Sequence, residues 1–402
     1  MGKNIFYGWW IVLACFIIGL YVSGITFYGF TAFFEPLIKE FGWSYTQVSF
    51  AASLRGLEMG VFAPLIGLFV DRLGSRKVIF WGVITVGFGL FLLSFARSLA
   101  MFYAAFLLLA FGAGGCTSVV SMAVVANWFD KNVGKALGVM ASGFGASGLM
   151  VPIIVWLMEA YQWRSTLVIL GLGTFVLGVP LSFVIRNKPE QYGYFPDGKI
   201  TRGPILQEEI RSKDGITFRE VLKNRAFLFL NLTEAIRMMA VSTVATHVMP
   251  YFSSVGISRS KAGLVAGAIP LFSIIGRLAL GWLGDVFEKR YVMALAFGLM
   301  SLGMLIFCYV HIAWIIFLFL LLFPPSFGGT MVLRGSILRE YFGRDSLGKM
   351  LGIVMGSASF GGIIGPTLAG WVFDSWGSYQ FIWGAFSAFT AIAIVMVLKI
   401  KP

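Results

Sequence analysis

A single arginine, Arg277, interrupts the apolar run from Pro270 to Asp285. The surrounding stretch is long enough to cross a bilayer, and a guanidinium at membrane depth costs about 2.5–3.5 kcal/mol on insertion scales. No acid lies three or four positions away on the same helix, so Arg277 needs a water-filled cavity or a ligand. The chemistry open to it is a two-pronged, charge-assisted hydrogen bond to an anion. Glu234 and Arg237, three apart in another apolar run, share one helical face. Either they neutralise each other, or they line a cavity with Glu234 as the candidate proton carrier and Arg237 as a second anion contact. Arg55 and Glu58 repeat that spacing and read mainly as a structural pair. Arg334, near the end of its run, reads as a side chain that snorkels to the interface. His247 reads as a packing or cavity-wall residue. Tyr28 either donates its hydroxyl to a carboxylate or packs between helices.

Other chemistries find no support. The histidines are His247 and His311, and Cys15, Cys116 and Cys308 are far apart, so no metal spacing appears. No nucleophile–base set is visible, and neither an enzyme nor a cofactor is expected. Gly143 to Gly148 matches a dinucleotide-binding glycine pattern but lies within an apolar run with no preceding strand. Gly343 to Lys349 resembles a phosphate loop, yet Met350 stands where Ser or Thr is required.

The elements that must position these residues are membrane helices. The 402 residues are 58% hydrophobic and 12% charged, against about 25% charged in soluble domains. Apolar runs fall at 7–34, 46–70, 78–96, 100–126, 135–158, 164–185, 226–252, 261–283, 291–310, 313–339, 350–373 and 379–398. The expected fold is an all-α membrane protein with twelve transmembrane helices in two six-helix repeats. The first run is too long for the apolar part of a signal peptide and reads as a retained span. Residues 1–185 form the first bundle, 186–225 a linker and 226–402 the second bundle. Thr217-Phe218-Arg219-Glu220 has the pattern of a capping box and predicts a short amphipathic helix feeding the seventh span. The excess of 31 Lys and Arg over 18 Asp and Glu gathers in alternate connections. That is the positive-inside pattern, not a nucleic-acid surface, and it puts both termini in the cytoplasm.

The halves are copies in one register. Asp71 and Asp285 are 214 positions apart, and the same offset carries Pro36 to Pro250, Gly42 to Gly256, Gly67 to Gly281 and Gly114-Gly115 to Gly328-Gly329. Six plus six spans in one orientation are parallel repeats, an arrangement that holds substrate near the midplane between halves.

Gly67-Leu68-Phe69-Val70-Asp71-Arg72-Leu73-Gly74-Ser75-Arg76-Lys77, echoed from Gly281 through Asp285 to Arg290, resembles the loop signature of the major facilitator superfamily. The resemblance covers essentially the whole chain and implies a carrier that is usually monomeric. Gly67, Asp71, Arg72 and Asp285 then belong to the gate at the inner face, where an aspartate can face a positive helix N-terminus near Lys349. Three further places resemble monocarboxylate transporters: Phe6-Tyr7-Gly8-Trp9-Trp10, the stretch from Trp128 through Lys135 to Gly143, and Arg277 itself. Pro189-Glu190-Gln191-Tyr192-Gly193 with Pro196-Asp197-Gly198 resembles the oxalate–formate branch. The departures are Tyr28 where the animal carriers have a first-span lysine, Ser273 where they have an acid one turn before the arginine, and no lysine within the eleventh span beyond its mouth at Lys349. The resemblance implies a proton-coupled symporter of a lactate- or pyruvate-like monocarboxylate in a cell inner membrane. A carboxylate exchanger and a drug efflux antiporter are its rivals. Its partners are a small organic anion, protons and the lipid bilayer.

Overall fold

The computed structural model describes residues 6–130, 132–198, 224–310, 313–342 and 347–400. Among them the chain is helical throughout, as hydrocarbon demands: with no water to bond, backbone polar groups must satisfy each other within a helix. We number the spans α1 (7–41), α2 (45–73), α3 (Ser75–Ser94), α4 (Leu99–Trp128), α5 (133–161), α6 (163–184), α7 (Arg225–Ser254), α8 (Arg259–Val286), α9 (Lys289–Phe307), α10 (Ala313–Phe342), α11 (Leu347–Trp376) and α12 (Gln380–Leu398). Among the described residues, ten helical stretches are long and apolar enough to cross a membrane. One of them, Val133–Val184, has 52 residues and would run about 78 Å, far beyond a hydrocarbon core of about 30 Å. Gln162, at φ 63°, breaks it into α5 and α6. The remaining span, α2, is interrupted by a turn at Leu54–Arg55 and a π-helical turn over Glu58–Phe62. Twelve spans result, as the sequence predicts. The expected surface helix at 217–220 lies outside the described residues, as does the side chain of Lys349.

Local chemistry sets the helix ends. Ser44 and Gln47 form a reciprocal capping box at the start of α2, with Gln47 N donating to Ser44 Oγ at 3.1 Å and Ser44 N donating to Gln47 Oε1 at 3.0 Å. The Asn224 side chain accepts from Ala226 N at 2.8 Å and starts α7. Gly42 (φ 66°) and Gly256 (φ 81°), paired by the sequence repeat, both take the left-handed conformation that ends a helix.

The described residues pack as two compact units. One holds the chain up to Gly29 and from Val61 into the linker; the other holds Phe30–Gly60 with everything from α7 onward. The sequence repeat divides the chain at 186–225, whereas packing groups the second half of α1 and the first half of α2 with the C-terminal helices. Both transfers fall at helical irregularities, the turns at 24–33 in α1 and at 54–62 in α2.

In the first unit, three sequence-flagged motifs converge at one end. Tyr7 donates to Val184 O at 2.8 Å and stacks on Tyr194, while the Arg186 guanidinium lies 4.0 Å from the Tyr7 ring centre and 4.4 Å from that of Tyr192. Trp128 Nε1 donates to Arg186 O at 2.9 Å, and Asp197 accepts from Asp130 N at 3.0 Å. The start of α1, the α4–α5 turn and the first part of the linker are therefore one structure.

In the second unit, α8 and α10 touch backbone to backbone. A methyl at Gly276 would lie 1.7 Å from Pro325 O, and one at Gly328 would lie 2.1 Å from Ser273 O. In the first unit the glycines at the same repeat register close a different pair: Gly115 packs on Gly82 of α3. Gly276→Ala is expected to separate α8 from α10 and destabilise the protein by about 2 kcal/mol or more. Gly335→Ala, with open space around it on α10, should be neutral or gain up to about 1 kcal/mol. Thermal unfolding of the purified protein compares the two; equal midpoints would refute the close contact.

Candidate functional site

Three ionisable side chains meet inside the second unit. Glu234 of α7 is wholly buried, Arg237 one turn later is 6% exposed, and Arg334 of α10 is 4% exposed. Arg237 grips the carboxylate side-on: Nε donates to Oε2 at 2.9 Å and Nη2 to Oε1. Arg334 Nη1 donates to the same Oε1 from across the helix pair. Among the described residues Glu234 is the one fully buried acid. The helix–helix fit explains the burial. A methyl at Gly361 of α11 would strike Ala235 O at 2.0 Å, and one at Gly365 would lie 2.5 Å from Met239 O, so α11 presses on α7 along the cluster. Ser357 of α11 donates to Asn231 Oδ1 at 2.7 Å just below it.

The sequence pairs Glu234 with Arg237, and the structure joins them. It assigns Arg334 to snorkelling, which the structure corrects: the guanidinium is buried and bound. The signal was present. Arg334, like Arg277, has no acid three or four positions away on its own helix.

Arg277 is half-buried on α8, between a packed face and an exposed one. Its neighbour Gly276 seats on Pro325, whereas Leu278 is 72% exposed. Ser273, one turn earlier, is buried and donates to Pro270 O at 2.6 Å. Along the paired helices Gly276 matches Pro325 and Gly284 matches Leu333, so Arg277 and Arg334 are separated by eight residues, about 12 Å along the axis. Tyr28 sits half-buried in the π-helical turn of α1, edge-on to Phe27 at 4.9 Å, in the first unit. Asp71, Arg72 and Asp285 are exposed at the ends of α2 and α8, and Gly67 has open space beside it.

Two groups at the opposite end of the second unit carry more than the sequence indicates. His247, wholly buried, shares hydrogen bonds with Ser49 Oγ (3.1 Å), Tyr379 Oη (3.0 Å) and Pro366 O (2.9 Å). Asp374 of α11, unremarked in the sequence, accepts from Tyr45 N (2.9 Å) and Thr46 N (2.8 Å) and so caps α2 from outside it. Arg55 Nη2 donates to Thr246 Oγ1 at 2.9 Å.

Removing Glu234 strands two buried guanidiniums, whereas removing Arg334 leaves Glu234 with Arg237. Glu234→Ala is therefore expected to cost about 3–5 kcal/mol and Arg334→Met distinctly less. Chemical unfolding of both variants beside the parent tests the order, and a reversed order would refute this division of roles.

Comparisons with known proteins match the chain over nearly its whole length. The profile described as Major Facilitator Superfamily matches residues 16–255 and 232–402. Monocarboxylate transporter 12 of Rattus norvegicus is 26% identical over 399 residues, covering 93% of this chain and 81% of its own. The uncharacterized MFS-type transporter YcxA of Bacillus subtilis (strain 168) is 24% identical, covering 97% and 94%. Among solved structures, a bacterial homolog of the human lysosomal transporter Spinster, inward-facing and occupied, superposes with a TM-score of 0.76 at 15% identity over 98% of this chain and 97% of its own. A mutant of the nucleoside transporter NupG gives 0.77 at 12% identity over 99% and 100%.

Proposed function

The chain belongs to the major facilitator superfamily, a multi-pass membrane transporter and not an enzyme, and from that premise we propose that it carries a small monocarboxylate of the lactate or pyruvate kind together with a proton. The observation that carries the reading is Arg277. It stands within an apolar span of a chain that resembles monocarboxylate transporter 12 over nine-tenths of its length. In this reading Arg277 holds the carboxylate by two parallel hydrogen bonds. The neutral remainder of the substrate packs on apolar and aromatic walls. Glu234, the buried acid, takes the coupling proton. One proton and one carboxylate add no net charge, so the loaded carrier crosses without working against a potential of about 2.3 kcal/mol per charge per 100 mV.

Alternating access then exposes the site to each side in turn. Gly67, Asp71, Arg72, Asp285 and Lys349 are assigned to closing the inner face. The basic connections favour cytoplasmic termini in a cell inner membrane, and the working unit is a monomer. The rival reading is an exchanger that swaps one carboxylate for another without net proton movement.

The test is uptake of labelled lactate by proteoliposomes under an inward pH gradient, at matched amounts of folded protein. Arg277→Ala is expected to lose about tenfold or more of its uptake, the loss of one charge-assisted interaction. Uptake unchanged in that variant would remove Arg277 from the site. Glu234→Gln should abolish pH-driven accumulation while lactate–lactate counterflow continues; accumulation that persists would favour the exchanger.

A further inference from the structure

The two arginines of the buried cluster use different edges. Arg237 presents its Nε–Nη2 edge to Glu234, the side-on geometry in which a guanidinium binds a carboxylate with two prongs. Arg334 reaches the same carboxylate through Nη1 alone. Its Nε is buried and has no hydrogen-bond partner. A buried N–H left unmade costs about 1–3 kcal/mol, more on a charged group, so this edge is a standing demand for an acceptor. The three side chains together carry a formal charge of +1, which favours an anionic acceptor. Arg334 lies eight residues from the end of α10 and Glu234 nine from the start of α7, so the cluster is about 12–14 Å inside the face where α7 begins. Arg277 lies about two turns deeper along the α8–α10 pair.

We propose that the Nε edge of Arg334 is a second carboxylate-binding station, which receives the transported anion between Arg277 and the face where α7 begins. While ionised, Glu234 holds the guanidinium from the other side, orienting the fork and leaving one edge for the mobile anion. Two cationic stations about 12 Å apart along the helix axis shorten the stretch over which a small carboxylate is unpaired in a low-dielectric interior. The inference rests on the reading that the cargo is a carboxylate.

Two measurements test it. The first needs no transport. In an Arg277→Ala background, the thermal midpoint of the purified protein is followed in sodium formate and in sodium chloride at equal ionic strength. A ligand that binds only the folded state raises the midpoint in proportion to the logarithm of its concentration once above its Kd. A saturable, formate-specific rise is expected in Arg277→Ala and absent in Arg277→Ala/Arg334→Gln. No formate-specific rise, or one that survives the loss of Arg334, overturns the proposal.

The second uses Arg334→Lys, which keeps the charge and loses the fork. The KM for labelled lactate is measured in oriented proteoliposomes from each face. It should rise at least about fivefold for substrate presented at the face where α7 begins, and change less than twofold from the other. An equal change at both faces, or a fall in kcat alone, marks a structural role and overturns the proposal. The two readings fail separately. Formate binding without lactate flux would refute the lactate-like cargo and leave the station. Arg277-dependent flux without the formate effect would do the reverse.

Discussion

Charge in hydrocarbon is tolerated only when something answers it, and the second unit is arranged around one such answer. Glu234 accepts from Arg237 on its own helix and from Arg334 on α10. Each ion alone would cost several kcal/mol to bury, and the pairing offsets that cost only when the geometry is held closely. The holding falls to glycines. Gly361 and Gly365 let α11 lie against α7, and Gly276 and Gly328 let α8 lie against α10. Neighbouring helices offer no hydrophobic gain over lipid tails, so close backbone approach supplies the packing that fixes the ions.

The same economy governs the ends of the unit. Asp374 caps α2 from a distant helix, and His247 joins residues of α2, α11 and the start of α12. These bonds tie the segment 30–60 to the C-terminal helices. The same segment also packs by aromatic rings, Tyr45 on Phe373 and Phe34 on His247, and by close approach at Gly56 and Gly370. At the linker end of the first unit, aromatic rings and Arg186 make a broader junction, which turns three separate sequence motifs into one platform.

Much of the candidate site was legible before any coordinates. Arg277 stands out in the sequence because no acid lies three or four positions away in its apolar run. The Glu234–Arg237 pair follows from a spacing of three on a helix. Arg334 was misread, because snorkelling depends on depth and on what lies alongside, and neither is encoded in the residue's distance from the end of its run. Asp374 was invisible, since its partners are backbone N–H groups more than 300 positions away.

The number of spans, the internal repeat and the superfamily could be read along the chain, because they depend on runs of apolar residues and on local signatures. Which glycines close which helix pair came only from the folded packing. Gly115 and Gly329 share a register, yet they face α3 in one unit and α8 in the other. The packing also decided that α1 and α2 divide between units and that two arginines share one glutamate. The physical reason is the same throughout. A helix's existence follows from hydrogen bonds within four residues, but its partner is chosen by side-chain shape and charge from segments far away in the chain.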